Sequence, residues 1–491
     1  MGERVTAATL AAGPDGRVRS RLERCVAVLD RMVAEGSFAE HADSVGMEVE
    51  LNLVDPLGRP RLVNEAVLAR LGRADFQYEL GQFNLEVNLP PRLLRGPVLA
   101  GYENELAGIL HRPSRVVEEL GARLVAVGIL ATLSPEQLTY QRLSANPRYA
   151  LLSRRMRAAR QRPFAVRIDG TEPVSWSADS VAPEAAATSM QLHLRVPPER
   201  FAAFYNAAQL VAAAQVAVGA NAPYLLGRQV WAETRIALCE QMLDTRGPEE
   251  VAAGQPRRVR LGDHWVGGPV ELFDQIVQSF PPLLPAFDEE DPDQALAAGR
   301  VPGLHELRLH NGTVWRWNRP VYDVRAGRPQ LRIENRVLPS GPTAVDMAAN
   351  AAFYFGLVRA LADTVPPPWT AVPFRVAEQD LHRAARHGVA ARLRWRGHTV
   401  RADRLVLDEL LPAAASGLDA WGVASADRDR YLGVIASRTR SGQTGAAWQT
   451  GAVERLEQRH RLERTAALRE MTRRYVEHAR TGAPVHSWPM P

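Results

Sequence analysis

The chain has 491 residues, 46% of them hydrophobic and 23% charged, with a formal net charge of +5. That is enough apolar material for a large core, no stretch reaches the ~20 uninterrupted apolar residues of a membrane span, and the N-terminal residues lack the basic-then-apolar layout of a signal peptide, so a cytoplasmic protein is expected. All 60 basic residues are arginine, which excludes chemistry that needs lysine: a P-loop lysine, a kinase lysine or a pyridoxal Schiff base.

Two cysteines, Cys25 and Cys239, lie far apart, form no CxxC pair, and read as small buried side chains rather than nucleophiles. In chain order, apolar positions at helical spacing predict an opening helix over 17–36. The stretch 45–54, VGMEVELNLV, switches to a period of two and predicts a strand; 83–89, FNLEVNL, predicts another, closed by prolines. A helix is expected over 97–120, running into an apolar strand over 122–130. The basic run 154–162, RRMRAARQR, reads as an exposed helix face rather than a nucleic-acid contact. MQLHLRVPP at 190–198 alternates again, before a long apolar helix over 199–219. ELRLH at 306–310 and QLRIENRVL at 330–338 read as two further strands. Thr343 is placed to cap a helix over 343–363, and the chain beyond about 375 is mainly helical. Two stretches, 281–303 and 364–373, resemble linkers, the first an acidic surface excursion. Strands and helices mix without a βαβ rhythm, which favours an antiparallel α+β fold over a doubly wound sheet. A single large domain over 1–491 is expected, with core sheet and helices over about 42–365 and a helical C-terminal portion over about 375–491.

Four of the strands share one peculiarity. Their apolar residues alternate with Glu48, Glu50 and Asn52; with Asn84, Glu86 and Asn88; with Gln191, His193 and Arg195; and with Arg332, Glu334 and Arg336. Residues two apart in a strand share a face at a spacing of about 6.5–7 Å. A solvated face mixes serine, threonine and glutamine with its charges. Here the polar faces consist of carboxylates, amides, a histidine and arginines, an inventory suited to a hard cation held by oxygen and to guanidinium forks for phosphate or carboxylate. Competing signatures are missing: the sequence has no GxSxG, no HExxH, and no glycine-rich turn in a strand-then-helix context. His310 and His387 are single histidines and read as structural.

The order GMEVEL, NLEVNLPP, LHLRVPP before a long helix, then RIENR before another, resembles the glutamate–cysteine ligase family, in particular its bacterial carboxylate–amine ligase branch. ETRIALCEQ at 233–241, LHNGTVWRWNRPVYD at 309–323 and the terminal PVHSW extend the resemblance over most of the chain. It implies a fold similar to the catalytic domain of glutamine synthetase, an antiparallel sheet curved into a funnel with helices outside. It implies Glu48, Glu50, Glu86 and Glu334 as ligands of divalent metal around ATP. The family commonly carries two histidines on its third strand; here Gln191 and His193 stand there, so His193 is expected at metal or phosphate and Gln191 is a departure. Arg336 resembles the arginine that holds the transferred phosphate, making Arg336 and Glu334 the expected catalytic pair. Arg235, Arg332, Gln191 and Asn88 are expected toward substrate or ATP. The implied cofactors are ATP and Mg2+, with Mn2+ as a substitute. The implied reaction joins the γ-carboxylate of L-glutamate to an amine, L-cysteine first, through an acyl phosphate, as in glutathione-type thiol biosynthesis. Two alternatives stay open: a ligase of this fold using another amine or carboxylate in a specialised pathway, and a relative that binds nucleotide or amino acid without turnover. Neither nucleic acid nor membrane is expected as a partner, and the oligomeric state is left open.

Overall fold

The alternating stretches pair with one another in a computed structural model that describes residues 15–38, 43–111 and 114–491. Seven strands form the sheet: β1 (Ser44–Val54), β2 (Phe76–Tyr78), β3 (Asn84–Leu93), β4 (Arg123–Val125), β5 (Met190–Arg195), β6 (Asn318–Arg325) and β7 (Arg328–Asn335). They run antiparallel in the order β6-β7-β5-β1-β3-β2, with β4 pairing the end of β1, and the sheet curls into a half-barrel.

The alternation decides which face goes where. Val45, Met47, Val49, Leu51 and Leu53 of β1, Leu192 and Leu194 of β5, and Leu331 and Ile333 of β7 are all buried on the convex side. Each such side chain contributes about 1.5–3 kcal/mol on burial, and a one-residue slip would exchange the apolar face for the charged one, so the register is strongly specified. Two long helices, Pro198–Gly219 and Ala344–Ala362, lie against the sheet. Tyr205 of the first donates its hydroxyl to the Asn318 carbonyl at 2.9 Å, and Gln215 bonds Asn335 at 3.3 Å. Among the described residues Pro198–Gly219 is the one helix long and apolar enough to cross a membrane, and 89% of its apolar window is buried within the fold.

The helical layer closes with little slack. Gly356 and Gly417 sit where the 344–362 and 411–420 helices cross; a Cβ on Gly417 would lie 1.9 Å from the Gly356 carbonyl oxygen, and one on Gly356 2.2 Å from that of Ala414. Thr343 caps the 344–362 helix as expected, its hydroxyl accepting the Asp346 N–H at 3.2 Å. Asp346 carries a second load: one carboxylate oxygen accepts the Val485 N–H at 3.0 Å and the other pairs with buried Arg438 at 2.7 Å. The C-terminal tail is thereby tied to the helix behind the sheet, and one apolar core runs from Val18 to Trp488.

Several elements depart from the sequence reading. ELRLH is a helix, His305–Asn311, not a strand. As a strand it would point Leu307 and Leu309 the same way; as a helix it sends Leu307 into the main core and Leu309 into a separate cluster with Leu151 and Leu284. The helix expected over 97–120 is two, Val98–His111 and Ser114–Glu119, with Pro113 in the sequence between them. Only Arg123–Val125 of the stretch 122–130 is a strand, and β7 ends at Asn335, before Arg336. The acidic excursion grips the opening helix, Asp15–Ala34: Arg24 reaches Asp291 at 2.8 Å and Asp293 at 2.9 Å. Both cysteines are buried, and burial pushes each thiol up to about 12, consistent with inert side chains.

Gly417→Ala is expected to destabilise the protein by about 1–3 kcal/mol, because the two helix backbones must separate to admit a methyl group. Urea unfolding checks this; an unchanged midpoint would show that the crossing is looser than described.

Candidate active site

An antiparallel ladder places directly opposite residues on one face about 4.5–5.5 Å apart, so the register of the sheet dictates which polar side chains meet. Glu50 lies opposite Glu86, and Glu48 lies between Asn88 on one side and Gln191 on the other. His193 faces Glu334, which in turn faces Arg319. The concave side of the sheet forms the floor of a cleft of about 1600 Å³ lined by all of these residues.

Two acidic groupings share this floor. In the first, Glu50, Glu79 and Glu86 each present an oxygen within 4.8 Å of the others. Glu50 is held by its neighbours: one oxygen accepts the Ser189 N–H at 2.6 Å, the other the Ser189 hydroxyl at 3.0 Å and the Gln191 amide at 2.8 Å. Asn88 donates to Glu86 at 2.7 Å, and the Leu80 N–H donates to Glu79 at 2.9 Å. Burial, and then the charge of Glu48, push the Glu86 carboxyl up to about 8. Burial, and then Glu50, Glu86 and Glu184, raise Glu79 well above the usual carboxylate range. Glu184, on the cleft wall, is raised to about 7 by burial and by Glu50.

The second grouping is compensated within the protein. His193 Nε2 lies 3.0 Å from Glu48. Burial opposes ionisation of Glu48, but the neighbouring His193 outweighs it and holds the carboxyl down at about 2. Glu334 sits between two guanidinium groups, Arg319 at 2.8 Å and Arg336 at 2.6 Å. Burial again works against the charge, and Arg319 and Arg336 overcome it, holding Glu334 well below the ordinary range.

This donor chemistry fits a divalent cation. Two carboxylate charges 4.8 Å apart repel by about 3.5 kcal/mol at an effective dielectric of about 20. Glu79 and Glu86 are each pushed up by neighbouring carboxylates, in contrast to Glu334 between Arg319 and Arg336, so protons or a cation must relieve the crowding. Three carboxylate oxygens around one point are the ligands a hard cation such as Mg2+ or Mn2+ selects, and Glu48, His193 and Glu334 line the cleft beside them.

Glu48, Glu50, Glu86, Asn88, Gln191, His193, Glu334 and Arg336 are thus brought together as expected from the sequence, and Arg332 lines the same cleft. Arg332 does not turn to Glu334; its Nη2 lies 3.7 Å from Asp323. Gln191, the departure from the family pattern, links the two groupings: its nitrogen donates to Glu50 and its oxygen accepts Arg336 Nη1 at 2.6 Å. Arg235 is not brought to the cleft. It is 2% exposed, paired with Glu233 at 3.1 Å, and its two terminal nitrogens, Nη1 and Nη2, donate to the backbone carbonyls of Arg336, Val337 and Leu338, while Nε is buried without a partner.

Three cleft residues escaped the sequence reading: Glu79, Glu184 and Arg319. Glu79 follows β2 in a turn and has no alternating neighbours to mark it; its one signal is the short hairpin spacing to Glu86. Glu184 lies in the short 3-10 segment Ala182–Ala186. Arg319 belongs to β6, where Pro320 argues against a strand.

Glu79→Gln is expected to weaken Mn2+ binding about tenfold or more in the absence of nucleotide, read by electron paramagnetic resonance of free Mn2+, with an unchanged circular dichroism spectrum. Equal affinity would remove Glu79 from the cation site.

Comparison with curated proteins finds no match. Among solved structures, glutamate–cysteine ligase from Francisella tularensis in complex with AMP aligns over 92% of this chain and 90% of its own, at 12% identity and a TM-score of 0.56. A bifunctional glutathione synthetase from Pasteurella multocida aligns over 93% of this chain and 55% of its own, at 10% identity and a TM-score of 0.48. The first likeness is one of fold, that of the glutamine-synthetase-like ligases with their curled antiparallel sheet. The model of glutamate–cysteine ligase family 2 matches residues 44–478, a span that holds every strand of the sheet under the cleft, and the chain therefore belongs to that family, as an ATP-dependent carboxylate–amine ligase.

Proposed function

We propose that the protein joins the γ-carboxylate of L-glutamate to the amine of a second amino acid, L-cysteine being the leading acceptor, at the expense of ATP. The carrying observation is the meeting of two carboxylate groupings and Arg336 on one sheet face within a single cleft. The family supports glutamate and cysteine as the pair, and the AMP in the Francisella tularensis ligase supports a nucleotide in the cleft.

In this reading the donor carboxylate attacks the γ-phosphorus of ATP, ADP leaves, the amine attacks the acyl carbon, and phosphate departs with the oxygen it gained from the carboxylate. Phosphoryl transfer asks a protein chiefly for alignment and for neutralisation of charge on the phosphate oxygens. Glu50, Glu79 and Glu86, with Glu48, His193 and Glu334, would hold divalent cations, which supply Lewis-acid neutralisation of the triphosphate. Arg336 supplies the fixed cation that a lysine-free chain needs. Burial disfavours its charge, yet Glu334 and Glu50 keep its pKa above the ordinary arginine value, so it stays cationic throughout. Glu334 and Gln191 aim its guanidinium by two bonds at 2.6 Å. We propose further that the chain works as one catalytic domain, a view supported by the core that joins the sheet to the C-terminal helices.

Purified protein with ATP and Mg2+ is expected to release ADP when offered glutamate plus cysteine and not with either alone. Release with a different pair would move the substrate assignment within the same chemistry, and no release with any pair would refute the ligase reading. Glu334→Gln is expected to lower kcat about 100-fold or more while the protein stays folded by circular dichroism; wild-type turnover in that variant would sink the site assignment.

A further inference from the structure

The backbone of Arg336 lies just outside the sheet ladder, since β7 ends at Asn335. Its N–H donates to the Trp317 carbonyl at 2.8 Å, and the chain then makes an irregular turn through Val337, Leu338 and Pro339. Three successive carbonyls of this turn, those of Arg336, Val337 and Leu338, accept from one guanidinium, that of Arg235, each at 3.3 Å. Arg235 is paired with Glu233, which is fully buried, and the second oxygen of Glu233 accepts the Asn221 N–H at 2.9 Å.

Asn221 ties this pair to the rest of the fold. Its amide nitrogen donates to the Ser340 carbonyl and the Tyr475 hydroxyl, both at 2.8 Å, and its oxygen accepts from Gln449 at 2.9 Å. Ser340 in turn donates its hydroxyl to the Glu50 carbonyl at 2.6 Å. The surroundings leave no room to shift: a Cβ on Gly128 would lie 2.8 Å from Pro339 and 3.2 Å from Arg235. Burying a charged pair this deeply is not a strong source of stability, because desolvation offsets the attraction. A planar guanidinium can gather several carbonyls at once, whereas an ammonium at the end of a flexible stem cannot hold the same fork.

We infer that the Glu233–Arg235 pair is a positioning device for Arg336: Arg235 touches no substrate and acts on the reaction only through the backbone of residues 336–338. The inference rests on the proposed role of Arg336 at the transferred phosphate. It also gives the C-terminal helices a part in catalysis, since Gln449 and Tyr475 hold Asn221 in place.

The test compares kcat and the KM for ATP in Arg235→Lys, Arg336→Lys and the double variant, each normalised to folded protein. Arg235→Lys is expected to lower kcat about tenfold with the KM for ATP within about twofold, because the loss falls on the transition state. In the Arg336→Lys background the same change is expected to alter kcat by less than about twofold, since residues acting through one another are not additive. An equal loss in both backgrounds would overturn the inference and make Arg235 an independent contact. Wild-type kcat in Arg235→Lys would overturn it too, leaving the clamp merely structural. Wild-type kcat in Arg336→Lys would refute the reading of Arg336 itself, and with it the role of the clamp. Should Arg235→Lys fail to fold, Glu233→Gln with Arg235→Met removes both charges together at similar volume and is expected to give the same pattern.

Discussion

Three carboxylates that each bring one oxygen within 4.8 Å of the others cannot all stay charged in a partly buried wall without a partner cation. That constraint at Glu50, Glu79 and Glu86 organises much of the protein. The sheet register brings Glu50 opposite Glu86, the hairpin from β2 to β3 supplies Glu79, and the apolar alternate positions commit the opposite face to the helices. A charged concave face and an apolar convex face are two consequences of one period-two pattern. Where the protein supplies its own cations, as Arg319 and Arg336 do for Glu334, the carboxyl stays ionised; where it does not, as at Glu86, burial drives the carboxyl toward the protonated form.

The absence of lysine gives this arrangement its character. Arginine serves three separate purposes here: Arg336 in the cleft, Arg235 under the turn that carries it, and Arg438 behind the sheet at Asp346. At Arg235 and Arg438 the planar fork makes several bonds in fixed directions through both terminal nitrogens, which a point charge on a flexible stem does not reproduce. Rigidity in the cleft therefore comes from bidentate and multidentate contacts buried at its back, and not from the sheet ladder alone.

Much of this was legible in the sequence. The strands carrying Glu48, Glu50, Glu86, Gln191, His193 and Glu334 announce themselves by alternation, which puts these side chains on the polar faces of their strands. A solvated face would alternate in the same way, and the composition of four such faces, with the family resemblance, pointed to a shared site. Residues outside that pattern were hidden. Glu79 occupies a turn, Glu184 a short 3-10 segment and Arg319 a strand disguised by Pro320, so no periodicity marks them. ELRLH shows the converse failure: five residues fit both periods, and only the separate positions of the clusters around Leu307 and Leu309 make it a helix. Arg235 was recognisable as a notable arginine, but its partners come from residues about a hundred positions away, and no local pattern could have told a backbone clamp from a substrate contact.

The proposed chemistry makes one demand that a relative binding nucleotide without turnover does not meet: an oxygen must pass from the donor carboxylate to phosphate. Turnover with a donor carboxylate labelled with oxygen-18 tests this directly, with the released phosphate read by mass spectrometry. One labelled oxygen in each inorganic phosphate is the predicted result. Unlabelled phosphate, or label recovered in AMP, would contradict transfer of the γ-phosphoryl group to the carboxylate.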